Sequence, residues 1–478
     1  MRFSEIEIVT GAVIAFLVGL FANDWIAGAS ILTLMVGVRL VSTGDHLFVL
    51  PAAFAFHWLQ TSVGVMYLGF LGRAVPTVEL SDYRPMVLVA LGCCLALAVG
   101  IRLGLMLREA PDPSEARPGF AFSFGLLVAV YVSTVALQGT LGALAPDYPT
   151  LRQIIVTFDT ARLGILFLIL RRLCSPKPRW GLIALVVSVE IVLGITGFFA
   201  GFREPVVLAV LAVLEIFDRR NQKHWLAIGI GGAVAVVLGL LWMSIRTEYR
   251  KEYVEVDKFQ TSRSARFERI GSLTSGFLNS ESADLWRATD ALVDRLWTVY
   301  YPALALARVP RVLPHTNGAI FTAAMVHIVT PRVFFPNKAE LPSDSDEVRK
   351  YSGVHVAGRE NNTSIAFGYA PEAYIDFGIP LMFVPVFGFG VAVGFLYGLF
   401  RRLIWHRELF VAFATVTFWL TVYLFERSWA TMLGVSLGFM VYLGVPLILL
   451  DRFLLIKYER QTRDDADLLF GQPDRHEA

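Results

Sequence analysis

The sequence predicts an all-α, polytopic membrane protein with about twelve transmembrane helices and one large external loop containing amphipathic helices. Three observations predict it. The 478 residues are 55% hydrophobic with a mean hydropathy of +0.59, above the roughly 45–50% of soluble domains. The excess is gathered in runs near the ~20 residues that carry a helix across the hydrocarbon core. The basic residues fall in alternate connections between those runs.

The apolar windows are 6–22, 25–41, 47–70, 85–107, 119–139, 151–170, 181–200, 205–217, 225–244, 373–399, 408–425 and 429–450. Helices suit them because each satisfies its own backbone where water is absent. The first window has weak positive flanks and runs straight into the second, so it reads as a retained span rather than a cleaved signal. The eighth is short and could be re-entrant. Charge decides for a return through the membrane there. Arg171, Arg172, Lys177 and Arg179 precede it, and Arg219, Arg220 and Lys223 follow it. Only a crossing between them leaves both groups on one side, with Arg401, Arg402, Arg407, Arg452 and Lys457. Both termini are then cytoplasmic.

The expected organisation is an N-terminal bundle over 1–244, an external loop over 245–372, C-terminal helices over 373–450 and a cytoplasmic tail over 451–478. Residues 246–370 carry sixteen Lys/Arg against fourteen Asp/Glu, and long loops translocate largely regardless of charge. Within the loop, Glu281 to Val309 places Leu285, Trp286, Leu292, Leu296 and Trp297 at helical spacing and reads as an amphipathic helix. Gly318 to Thr330 is apolar but too short to span, which suits a position at the headgroups. The glycine-rich stretch Phe387 to Leu399 reads as helix packing, not as a phosphate loop.

The net charge of +2 gives no reason to expect nucleic acid. Cys93, Cys94 and Cys174 sit in or beside apolar runs, with neither disulfide nor zinc spacing. No metal or cofactor is signalled. Unusual ionisable residues, costly near a bilayer and therefore functional candidates, gather on the external side. They are Arg203 and Glu204 at the start of the eighth window, Arg246 and Arg250 after the ninth, Arg332 and Lys338 in the loop, and Arg359. Glu372 and Asp376 open the tenth span one turn apart, and Glu426 and Arg427 fill a tight turn. Bland readings stand beside these: snorkelling anchors for Arg246 and Arg250, dipole capping for Glu372 and Asp376, a polar hairpin cap for Glu426 and Arg427. Inside the sixth window, Asp159 and Arg162 are three apart. They read as a local ion pair, or as an ion site in a transporter. Most of Trp286, Trp297, Tyr351, Tyr369 and Tyr374 read as packing residues, with sugar stacking as the functional alternative.

Three stretches resemble the bacterial O-antigen and exopolysaccharide repeat-unit polymerases of the Wzy type. They are Thr196-Gly197 through Gly201-Phe202-Arg203, Pro331-Arg332-Val333-Phe334-Phe335-Pro336-Asn337-Lys338, and Thr363-Ser364-Ile365 with Glu372-Ala373-Tyr374-Ile375-Asp376-Phe377-Gly378. The resemblance covers about residues 180–400. It implies a glycosyltransferase of the inner membrane that joins undecaprenyl-pyrophosphate-linked oligosaccharides at the periplasmic face, with membrane lipids and a chain-length regulator as partners. In that reaction Arg203, Arg246, Arg250, Arg332, Lys338, Arg359 and Arg427 would hold the pyrophosphate, since guanidinium forks match phosphate oxygens. Glu372, Asp376 or Glu204 would serve as base. The alternatives are an O-antigen ligase using His315 or His355, and a transporter or flippase using Asp159 and Arg162.

Overall fold

The fold is taken from a computed structural model, which describes residues 5–43, 47–73, 77–78, 81–108, 122–144, 152–175, 177–195, 203–218, 220–255, 263–278, 282–330, 335, 337–358, 360 and 363–456. Helices dominate. In chain order they are α1 (Glu5–Phe21), α2 (Trp25–Val41), α3 (Val49–Phe70), α4 (Tyr83–Leu107), α5 (Phe124–Leu144), α6 (Arg152–Cys174), α7 (Trp180–Ile195), α8 (Arg203–Glu215) and α9 (Gln222–Glu255). A two-residue antiparallel ladder, β1 (Thr77–Val78) with β2 (Ser81–Asp82), precedes α4. The intervening region holds α10 (Arg263–Leu278), α11 (Ser282–Leu296), α12 (Tyr300–Arg308), α13 (Ala319–Val329), α14 (Asp344–Ser352) and α15 (Tyr369–Phe377). The chain closes with α16 (Phe383–Leu403), α17 (Arg407–Val422) and α18 (Trp429–Phe439), which runs on through a π turn, Met440–Gly444, to residue 456.

The fold is that of a helical membrane protein. Among the described residues, five helices are long and apolar enough to cross a bilayer: Val49–Phe70, Tyr83–Leu107, Gln222–Arg246, Phe383–Leu403 and Trp429–Ile456. The count of twelve is not reached on this measure, for identifiable reasons. The apolar stretches Val9–Phe21, Trp25–Val41, Phe124–Leu137 and Trp180–Gly194 are shorter, α8 has 13 residues, and α6 interrupts its apolar run with Arg162.

The tenth window is also corrected. Residues 373–399 are not one helix but the end of α15 and most of α16. The break falls at Gly378, whose φ of +65° suits a residue without Cβ, and at Pro380, which cannot donate to a continuing helix. Glu372 and Asp376 therefore stand on a short separate helix. The amphipathic stretch Glu281–Val309 likewise divides into α11 and α12. There the Trp297 indole N–H donates to the Thr61 carbonyl at 3.1 Å and the ring lies against Gly64.

Among the described residues, α4 and α16 form the most extensive helix pairing. A Cβ on Gly100 or Gly104 would fall on the carbonyls of Phe387 and Val391, and one on Gly390 or Gly394 on those of Leu97 and Ile101. Two Gly-x-x-x-Gly faces thus bring backbone against backbone, and the glycine-rich stretch packs helices. Cys93, Cys94 and Cys174 are buried free thiols.

α8 and α17 share both ends. Arg203, which opens α8, donates to the Tyr423 hydroxyl at the end of α17 at 2.9 Å. Glu215, which closes α8, pairs with Arg171 at 2.5 Å, while neighbouring Arg172 pairs at 3.2 Å with Glu408 in the first turn of α17. The thirteen residues of α8 cover about 20 Å between these ends at 1.5 Å per residue.

Candidate functional site

The end of the bundle where α8 begins and α17 turns into α18 collects the densest polar chemistry. Tyr423 ends α17, Leu424 to Arg427 form the turn, and Ser428 caps α18 by accepting from Thr431 N–H. Two guanidinium groups lie over the Tyr423 ring, with Arg203 Cζ 4.9 Å and Arg427 Cζ 5.1 Å from its centroid. Trp419 stacks on the same residue at 5.0 Å and 17°. Arg203 donates twice to Glu204 Oε1, at 2.6 and 3.1 Å. Arg295, from the last turn of α11, forms a fork on Glu426 with bonds of 2.7 and 2.9 Å. Three guanidiniums thus face two carboxylates. Arg427 donates to the Leu420 carbonyl. Burial holds its guanidinium below its ordinary value, and Arg203 adds repulsion against the support of Tyr423 and Glu426.

A buried network fixes this turn from beneath. The Phe425 N–H donates to Gln60 Oε1 at 2.8 Å. His57 Nδ1 lies 2.9 Å from the Val422 carbonyl, which makes it the donor, and its Nε2 then accepts from the Tyr369 hydroxyl at 2.8 Å. Gly368, with φ at +99°, lets α15 approach the Phe425 carbonyl where a Cβ would collide.

Glu372 and Asp376, the carboxylates expected to serve as base at the outer face, take structural positions. Both are buried, and each closes the N-terminus of another helix. Glu372 Oε2 accepts the Trp429 N–H, the first of α18, at 2.7 Å. Asp376 accepts from Ile320 N–H at 3.0 Å, Phe321 N–H at 2.8 Å and the Thr316 hydroxyl, so it serves the start of α13. Orphan amide groups and the helix dipole favour an anion at both places. Dipole capping by this pair serves not their own helix but two others. Burial pushes the Glu372 carboxyl well above the usual range, against the pull of the Trp429 N–H.

The structure brings together Arg203, Glu204 and Arg427 from the expected set, with Glu426 beside them. Lys338 lies elsewhere, donating to the His327 carbonyl near the end of α13 at 2.7 Å. Arg246 is half-buried on α9. The side chain of Arg250, together with Arg332, Arg359, residues 196–202, 331–334 and 336, lies outside the described residues. His315 sets Nδ1 3.1 and 3.2 Å from the Tyr374 and Ile375 carbonyls, holding the end of α15, and His355 is exposed. Tyr374 donates to the Val309 carbonyl at 2.8 Å and Tyr351 is buried, so both pack; Trp286 is exposed.

Arg162 is paired with Glu190 of α7 at 2.6 Å and donates to the Tyr131 hydroxyl of α5 at 2.7 Å. The local partner expected for it, Asp159, has its side chain outside the described residues. Sequence reasoning missed Glu190, His57, Gln60, Tyr423 and Arg295. The first three are polar residues inside apolar windows, which is itself the signal. Tyr423 and Arg295 carry no comparable mark. Among the described residues no group of three or more His, Cys, Asp or Glu could hold a metal ion.

A family model described as a domain of unknown function (DUF8712) matches residues 116–418. No curated protein and no solved structure matches the chain.

Proposed function

The chain belongs to the DUF8712 family, and we propose that it is a glycosyltransferase joining polyprenyl-pyrophosphate-linked saccharide repeat units at the outer face of a bacterial inner membrane. The observation that carries this reading is the cluster of Arg203 and Arg427 at the Tyr423 ring, with Arg295 beside it. The donor leaves as a lipid pyrophosphate, and fixed guanidiniums stabilise the charge that develops on it. Arg427, half-buried and repelled by Arg203, gains most from an arriving anion. An acceptor hydroxyl attacks the anomeric carbon, the bond from that carbon to the pyrophosphate oxygen breaks, and the hydroxyl proton passes to a carboxylate. Glu204 takes that role here. It stands at the arginines, and its Oε2 has no partner among the described residues, whereas Glu372 and Asp376 are occupied as helix caps.

Twelve crossings belong to the same proposal: α1 to α9, α16, α17 and α18. The shared ends of α8 and α17 support a crossing by α8, thinned to about 20 Å. Arg171, Arg172 and Arg407 then lie at the cytoplasmic end, and the Arg203 cluster at the outer end. Purified protein supplied with lipid-linked repeat units should elongate them. Arg203→Ala and Arg427→Ala should each lower the rate on the order of 10²-fold. Wild-type elongation by both variants would sink the assignment. A transporter reading draws on the Arg162–Glu190 pair within the bundle. Substrate movement across liposomes with no covalent product would favour it instead.

A further inference from the structure

We propose that α13 is a half-helix inserted among the lipid acyl chains of the leaflet at this end of the bundle, and not a helix of a water-exposed loop. Eleven residues, Ala319–Val329, cover about 16 Å, half of the ~30 Å core. The direction follows from α15. Glu372 and Asp376 lie one turn apart on one face of it, and they hold the starts of α18 and α13 respectively. Both helices leave that face together, and their first turns touch, with the Phe321 and Trp429 rings 4.9 Å apart. α18 is one of the helices able to cross a bilayer, and α13 packs along it.

Both ends of α13 find partners within the protein. Where water is absent, orphan amides and carbonyls need partners from the protein. Asp376 supplies the acceptor for Ile320 and Phe321. At the other end, the Thr330 hydroxyl donates to the Val326 carbonyl at 2.7 Å, and Lys338 Nζ donates to the His327 carbonyl at 2.7 Å. The side turned from α18 is apolar and bare: Val326 is 55% and Val329 63% exposed. Leu381 at 59% and Val384 at 64%, where α16 begins, are bare as well, and α16 is another bilayer-crossing helix. Acyl chains are the one partner whose chemistry covers a bare face on α13 and on an adjoining span alike.

The test places nitroxide labels on Val326→Cys, Val329→Cys and, as a reference, Val312→Cys, which is 61% exposed beside Arg311. The native cysteines are buried and leave the labelling selective. In liposomes of phosphatidylethanolamine and phosphatidylglycerol, labels at 326 and 329 should collide with oxygen and be shielded at least tenfold from a water-soluble nickel chelate relative to 312. Collision with nickel at 326 and 329 as frequent as at 312 would overturn the proposal. Both positions are surface sites, so the variants keep the packing of α13 on α18.

Discussion

Two pairs of carboxylates sit at one end of this molecule and do opposite things. Glu372 and Asp376 are 4% and 0% exposed, and they accept backbone N–H groups from helices other than their own. The side chains of Glu204 and Glu426 are 17% and 25% exposed and face arginines. Residue type and local charge do not separate the pairs; what lies opposite does. A carboxylate aimed at helix starts is spent on architecture, since releasing it leaves buried amides unsatisfied. A carboxylate aimed at guanidiniums within reach of solvent can exchange partners when a charged substrate arrives. The proposed glycosyl transfer therefore draws its base from the second pair.

The sharpest way to break this division is Asp376→Ala. It strands the Ile320 and Phe321 amides and the Thr316 hydroxyl in a buried place, and about 3 kcal/mol of stability should go with it. Thermal unfolding in detergent measures the loss. A variant as stable as wild type would return Asp376 to the list of candidate bases. Glu372 gives a different signature through pH. Its carboxyl is raised above the ordinary 4.5 by burial, so the folded state binds a proton that the unfolded chain releases. The stabilisation from that proton is complete below about pH 4.5 and is lost as pH rises toward the folded-state value. Glu372→Gln keeps an oxygen for the Trp429 N–H without a charge to desolvate. It should be more stable than wild type at neutral pH, with the difference closing as pH falls to about 4.5. Parallel stability curves for the two proteins would sink this account.

Much of the fold was legible in residue order. Each of the twelve apolar windows contains helix, and the glycine-rich stretch packs against α4 because its spacing survives into contact. What failed was continuity. One apolar window spans Ala373 to Leu399, yet Gly378 and Pro380 stop the helix, and that break leaves Glu372 and Asp376 buried in the protein. Arg203 and Glu204 stood out because two apolar runs flank them. Arg295 did not, because a charged residue on an amphipathic loop helix looks like any solvated face. Its meaning depends on α11 reaching Glu426, 131 residues away, and no local pattern encodes that. Glu190 was visible as a charge in an apolar window, but the sequence offered the nearer Asp159 as the partner of Arg162.

The smallest expected effect concerns the second pair and tests the comparison from its other side. Arg295 and Glu426 form a two-bond fork, yet the side chains are 52% and 25% exposed. Water and salt screen such a pair, which leaves a coupling of about 0.5 kcal/mol. A double-mutant cycle of Arg295→Ala and Glu426→Ala should find that value at low salt and less at ~1 M, where the Debye length falls to about 3 Å. The loss in Asp376→Ala should not change with salt, because its partners are dipoles in a place that ions do not enter. A salt-insensitive coupling above about 2 kcal/mol would make Glu426 a structural carboxylate like the buried two. It would leave Glu204 alone at the arginines as the group free to take a proton.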